Sequence, residues 1–294
     1  MFSSKNRRHS AFTVLEILLA FAISLPILLV IVRTATTVSA SYWKMLDRRI
    51  AISRANSVFS LLQDPICHAG FAMLPESEFA SQFFNNVVEP FSWGCAVSCP
   101  TSGKLRVIYA APLNTLVKDT VEAEDGSCDF DFTLSTDVNQ FSTSVYDIKT
   151  YVLLHSATSE NKVFRILSRN SNYLRVSNKM DTEYDIGANG MVMALRAIEA
   201  TADGGVFRTK DFRTSGVQPR VDGIWKIHFD LDKSKKIVTV TVISSSDREC
   251  DTPSASGADV LPSELASELQ SLLAQTKRNL FCYKRSFFLA NLED

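Results

Sequence analysis

The chain has 294 residues, a formal net charge of -1, 46% hydrophobic and 21% charged residues, and 11 Gly. These values exclude a disordered tail, a collagen-like rod and a dedicated nucleic-acid binder, whose domains are strongly basic. The apolar content is uneven and concentrates near the N-terminus.

From Phe12 to Val32 run 21 residues, FTVLEILLAFAISLPILLVIV, and all but Thr13, Glu16, Ser24 and Pro26 are apolar. As a helix this segment spans about 31 Å, close to the roughly 30 Å hydrocarbon layer of a bilayer. A lone segment in lipid has to pair its backbone internally, so a membrane-spanning helix is expected, kinked at Pro26. Lys5, Arg7 and Arg8 precede it, whereas Arg33, Lys44, Arg48 and Arg49 follow. The short basic tail places the N-terminus in the cytoplasm and the remaining chain across the membrane. Glu16 is the anomaly, because an ionisable group in an apolar span is costly and a functional candidate by default. A cleavable secretory signal is the rival reading, with Val38-Ser39-Ala40 as a small-x-small site ahead of Ser41. The apolar run exceeds a signal core, and Glu16 would interrupt it.

Between Arg33 and Asp64 there is neither Gly nor Pro, so the helix is expected to continue. Val38, Tyr42, Met45, Leu46, Ile50, Val58, Leu61 and Leu62 form its amphipathic stripe, and Asp64-Pro65 its stop. Beyond it the pattern turns to strands. Trp225, Ile227, Phe229 and Leu231 alternate with polar residues, as do Val238, Val240 and Val242, around Asp232-Lys233-Ser234-Lys235. This predicts an antiparallel hairpin. Further strands are expected over 105–110, 130–134, 151–155, 163–167, 173–176, 191–197 and 281–289. A short helix is expected from Ser263, its cap, to Gln275, with Leu265, Leu269, Leu272 and Leu273 on one face. Loops are expected near 119–127, 201–205, 211–223 and 245–262. The fold class is therefore α+β: a long N-terminal helix and a strand-rich antiparallel region. Its expected parts are a leader 1–11, a membrane helix 12–32, an amphipathic stalk 33–64 and a globular head 65–294.

Lys5-Asn6-Arg7-Arg8-His9-Ser10-Ala11-Phe12-Thr13-Val14-Leu15-Glu16 resembles the leader of the type IV prepilin family. That family has a short basic leader, a small residue before the cut, Phe as the new N-terminus and Glu fifth from it. The resemblance implies cleavage after Ala11 and N-methylation of Phe12 by a prepilin peptidase. It also implies a pairing of Glu16 with the Phe12 amine of an adjacent subunit, and a helix that packs on a globular head. Ala11 stands where the family usually has Gly. Leu61 to Phe71, with Ala69-Gly70-Phe71, resembles the point where large minor pilins of the PilW type leave the stalk. Tyr283 to Leu292 loosely resembles their closing strand, with Ala290 in place of the Arg of an Arg-Asn pair. The implied function is a minor pilin subunit of a type IV pilus, acting in priming or in a tip complex. Its implied partners are other minor and major pilins, the prepilin peptidase and the inner membrane, with the head in the periplasm. A J-type pseudopilin of type II secretion shares this architecture.

Cys67, Cys95, Cys99, Cys128, Cys250 and Cys282 all follow the membrane segment, and an even set on the exported side reads as disulfides. Of the 15 connectivities, Cys250–Cys282 is favoured because it brackets a Ser/Gly loop and a helix. Cys95 and Cys99 pair locally or with Cys67 and Cys128. Zinc on Cys67, His68, Cys95 and Cys99 is disfavoured, because the spacing fits no common zinc pattern. His155 and His228 read as strand residues. The acidic stretch Asp119–Asp131 departs from the order of a calcium loop, and Gly204-Gly205 and Gly187–Gly190 read as turns. No nucleophile elbow, metalloprotease helix, metal set or cofactor motif is present, so no enzyme is expected. The competing class is a tethered surface-binding domain, in which Trp93 and Trp225 would matter more than Glu16.

Overall fold

An α-helix, α1 (Val14–Cys67), takes up 54 consecutive residues of the computed structural model. The structure describes residues 13–73, 93–119, 121–123, 129–135, 151–155, 162–170, 172–177, 184–186, 188–212 and 216–292. The chain divides into two units, Met1–Arg49 and Ile50–Asp294. In the first, α1 continues through Pro26 without interruption.

In the second unit, the rest of α1 is followed by fifteen strands and a second helix among the described residues. They are β1 (Val97–Thr101), β2 (Lys104–Leu116), β3 (Val121–Ala123), β4 (Asp129–Thr133), β5 (Tyr151–His155), β6 (Lys162–Asn170), β7 (Tyr173–Ser177) and β8 (Tyr184–Ile186). Then come β9 (Met191–Asp203), β10 (Val206–Asp211), β11 (Val217–Asp222), β12 (Ile224–Asp232), β13 (Ile237–Glu249), β14 (Ala255–Ser256), α2 (Ser263–Thr276) and β15 (Arg278–Phe288). A nine-stranded antiparallel sheet runs β1-β2-β9-β5-β6-β7-β4, with β10 paired to β9 and β11 to β10. A four-stranded sheet runs β12-β13-β15-β14, and β3 pairs with β8. A long apolar N-terminal helix followed by antiparallel sheet is thus the architecture, which is α+β.

The face that α1 buries in this unit is narrower than its sequence pattern suggests. Ala51, Ala55, Val58, Phe59, Leu62 and Ile66 are at most 4% exposed, at spacings of three and four residues. Leu61, expected in the stripe, is 42% exposed. Alanine carries little weight in a hydrophobic pattern, yet its small side chain lets a helix approach a sheet closely. That approach is visible where the Ser244 hydroxyl donates to the Ala51 carbonyl at 3.1 Å. Burial of Val58, Phe59, Leu62 and Ile66 stabilises by on the order of 6–12 kcal/mol as an upper bound. The helix also passes the expected stop. Proline lacks only its own donor, so the last turn still closes, with the His68 N–H on the Asp64 carbonyl at 3.1 Å.

The hairpin forms as expected, with Phe229 opposite Val240 and Asp232 opposite Ile237. Its one departure is a register shift between Ile224 and Lys226. A single extra residue turns Trp225 away from Ile227 and Phe229. The indole packs instead with Ile243, Leu280 and the leucines of α2. The four-stranded sheet is therefore covered on one face by α1 and on the other by α2. Residue 262, not Ser263, occupies the cap position of α2, and no side chain caps it. Three expected loops contain strands: β3, β11, and β13 continued to Glu249 with β14 beyond. The expected turn at 201–205 shrinks to Gly204-Gly205, because β9 runs to Asp203.

Candidate functional site

Fourteen large apolar side chains between Val14 and Val32 are 47–75% exposed, and none of the most apolar window of α1 is buried. Leaving them in water forgoes roughly 1.5–3 kcal/mol for each side chain, far more than an ordinary domain's net stability. By length and composition this helix is able to cross a membrane. Its polar groups are satisfied locally. The Ser24 hydroxyl donates to the Phe21 carbonyl at 3.3 Å, and those of Thr34, Thr36 and Thr37 donate to carbonyls three or four residues back at 2.8–2.9 Å.

Glu16 is held in the same way. The Thr13 backbone N–H donates to its Oε2 at 2.9 Å and the Thr13 hydroxyl to the same atom at 3.1 Å. The Glu16 N–H in turn donates to the Thr13 hydroxyl oxygen at 3.3 Å. This reciprocal arrangement is a capping box, in which two N–H groups with no helical partner are satisfied at once. The carboxylate also lies at the positive end of the helix. Thr-Val-Leu-Glu carries the box's sequence signature, so the cap was legible. Ala11 and Phe12 lie outside the described residues, as does Cys128.

Among the described residues Cys67, Cys99, Cys250 and Cys282 are free thiols. The expected Cys250–Cys282 bridge is not formed, and the register says why. The Cys250 N–H donates to the Lys277 carbonyl, while Cys282 lies opposite Ile243. Five residues of strand, about 17 Å, separate Lys277 from Cys282, and a disulfide needs α-carbons within about 7 Å. Cys99 lies between the shifted pairs Ser98–Arg106 and Thr101–Lys104 of β1 and β2. Burial, with smaller contributions from Asp230 and Cys95, pushes its thiol up to about 11. Burial, followed by Asp259, does the same for Cys282. Both are poor nucleophiles at neutral pH.

Among the described residues no three His, Cys, Asp or Glu side chains are grouped to hold a metal. His68 instead faces Asp64 at 3.1 Å, and much of the acidic stretch 119–131 lies outside the described residues. His228 stands 4.0 Å from Glu264, and the side chain of His155 is outside the description. Trp93 is half-buried, with the Arg106 guanidinium 4.9 Å from its ring centre and Phe212 edge-on at 5.1 Å. Arg106 and Lys104 also hold Glu199 at 2.8 and 3.2 Å. Burial pushes that carboxyl up, but the two cations outweigh it and keep it below the ordinary range.

Two stretches far apart in sequence meet at the end of α1. The Asn291 side-chain amide donates to the Cys67 carbonyl at 3.0 Å, capping a helix end whose carbonyls lack partners. Gly70, at φ +74°, lies so close that a Cβ there would sit 2.9 Å from the Asn291 carbonyl oxygen. The Gly70 N–H donates to the Ile108 carbonyl on β2 at 3.0 Å, which ties the same turn to the large sheet. No protein-family model, curated protein or solved structure matches the chain.

Proposed function

We propose that this chain is a minor pilin subunit of a type IV pilus, made as a prepilin and held in the inner membrane by the first part of α1. In this reading its N-terminus lies in the cytoplasm and the Ile50–Asp294 unit in the periplasm. A prepilin peptidase cuts after Ala11 and methylates Phe12, and the subunit then joins other minor and major pilins in a priming or tip complex. The observation that carries the reading is the Thr13–Glu16 box at the head of an exposed apolar helix. The basic leader and the Phe12–Glu16 spacing support it from the sequence.

The box explains how the carboxylate is tolerated before assembly. An unpaired acid in lipid is expensive, and two donors from Thr13 offset part of that cost. On assembly, the ammonium of Phe12 from a neighbouring subunit replaces those donors. The exchange leaves no unpaired ion in the apolar bundle. Thr13 directly follows the new N-terminus, so donor and replacement act at the same level of the helix.

Two measurements test this. The N-terminal mass of protein from its own membranes is expected to show N-methyl-Phe at position 12, and an intact Met1 would overturn the reading. Glu16→Gln keeps the cap, since glutamine serves in capping boxes, but removes the charge. It is expected to abolish incorporation into pili while the soluble-side unit stays folded. Normal incorporation would leave Glu16 a helix cap and nothing more.

A further inference from the structure

Strand β15 has an outer edge that the four-stranded sheet covers only in part. On one side β13 pairs with it as far as Phe288, whereas on the other the two-residue β14 reaches only Leu280 and Phe281. Alternate residues of a strand turn their backbone groups to opposite sides. The Leu289 N–H donates to the Lys236 carbonyl, so the odd-numbered residues at this end of β15 face β13. The Leu280 N–H donates to the Ser254 carbonyl on the other side, in agreement. The N–H and C=O groups of Lys284, Ser286 and Phe288 therefore point outward, and among the described residues no strand pairs with them.

Such an edge is a template for a further strand. The edge strands β1 and β11 of the large sheet carry Pro100 and Pro219, which lack a donor, whereas β15 contains no proline. Its charged residues, Lys284 and Arg285, are exposed, and so is Phe288 at 60%. The run Lys284-Arg285-Ser286-Phe287-Phe288 is complementary to itself when reversed. An antiparallel pair centred on Ser286 sets Lys284 opposite the other copy's Phe288, and Arg285 opposite its Phe287. A cation beside an aromatic ring is attracted to it, and within each chain the Arg285 guanidinium already lies 5.9 Å from the Phe287 ring centre. Sliding one strand by two residues, the smallest step that keeps the hydrogen bonds, loses this match. It either sets Arg285 against Arg285, which repels, or carries Lys284 past the end of the facing strand.

We propose that this edge binds a second copy of this chain, with the two β15 strands antiparallel about a two-fold axis at Ser286. The outward backbone groups of Ser286 pair with those of the other Ser286, and those of Lys284 with those of Phe288. The two four-stranded sheets then become one, and the aliphatic stem of Lys284 covers the exposed Phe288 ring of the other copy. In each chain β15 and α1 run the same way, since Ala51 meets Ser244 beside Phe281, Phe59 meets Phe287 and Cys67 meets Asn291. The axis therefore reverses the second copy's Ala51–Cys67 segment, so the pair joins copies that face each other rather than parallel neighbours of one array. The contact lies within the Ile50–Asp294 unit and does not depend on the role given to α1.

Disulfide trapping of the full chain in detergent micelles tests the proposal, with the parent chain as the baseline for its own cysteines. In a hydrogen-bonded antiparallel pair the α-carbons lie about 5.5 Å apart, within disulfide reach. Ser286→Cys is therefore expected to give a covalent dimer under mild oxidation, as are mixed Lys284→Cys and Phe288→Cys chains. Phe288→Cys alone is not, because its own counterpart lies about 14 Å along the strands. Ser286→Pro removes only an outward N–H, which an edge strand tolerates, and is expected to weaken association in sedimentation at least about tenfold. No dimer from Ser286→Cys above the parent's baseline would overturn the proposal, and so would equal yields from Ser286→Cys and Phe288→Cys. Trapping changes only exposed side chains, so it decides the matter even if the proline variant fails to fold.

Discussion

Leu28 and Leu62 lie on the same helix and are 62% and 1% exposed. Between Val14 and Val32 α1 is apolar around most of its circumference and exposed, whereas from Ala51 to Ile66 it buries one stripe and leaves Ser53, Asn56, Ser57 and Ser60 outward. An all-round apolar surface suits an all-round apolar surrounding, and a stripe suits a sheet on one side. Helix propensity is much the same in both stretches, so the environment that each face meets is what distinguishes them.

The contrast is broken most strongly by removing an anchor from the striped half. Phe59→Ala deletes a ring that meets Phe287 at 6.3 Å, and is expected to cost about 3–5 kcal/mol in denaturant unfolding. Leu28→Ala is expected to change the same midpoint by less than about 0.5 kcal/mol. Equal effects from both would show that the two halves do not differ as described.

A smaller effect is expected at the end of the striped half. Gly70→Ala places a side chain at φ +74°, at a cost of about 1–2 kcal/mol before its Cβ crowds Asn291. Asn291→Ala removes the cap on Cys67, worth about 1 kcal/mol. Because both act at one contact, the double variant is expected to lose less than the sum. Simple additivity in a double-mutant cycle would separate the turn from the cap.

The smallest effect lies in the β12–β13 turn. There the Lys235 ammonium, the Ser234 hydroxyl and the Lys235 N–H donate to the exposed Asp232 and hold its carboxyl down at about 2. A carboxyl lowered in the folded state adds stability above its ordinary range near pH 4. That contribution is lost as the pH falls from about 4 toward 2. Solvent screening keeps it small, and Asp232→Asn is expected to flatten unfolding curves measured across that window. An unchanged acid slope would mean that the turn adds nothing.

The α+β class, most central strands and α2 were legible because alternation and helical spacing are strong over long stretches. What escaped followed from interactions that a local pattern does not contain. Ala51 and Ala55 are inconspicuous until a sheet approaches them. Trp225 obeys the alternation of β12 in sequence, and a single-residue bulge sends it to the opposite face. Strand β11 lies within 211–223, a stretch that reads as loop, and becomes a strand by pairing with β10, which itself pairs with the end of β9. The Cys250–Cys282 expectation counted the loop it would close, whereas the register of β13 and β15 decides how far apart the two residues lie. At the candidate site, Glu16 was legible as an anomaly, and its Thr13 partner required only the capping signature three residues back.

The clasp between Asn291 and Cys67 joins residues 224 positions apart. During synthesis at about 5–20 residues per second, the carbonyl at the end of α1 waits some 10–45 s for its partner. Phe59 likewise waits for Phe287, near the far end of the chain. Contacts of such long range slow folding and prolong exposure of apolar surface. The growing chain therefore carries an open helix face through nearly all of its synthesis, and a holding chaperone on that face would protect it until the last strand arrives.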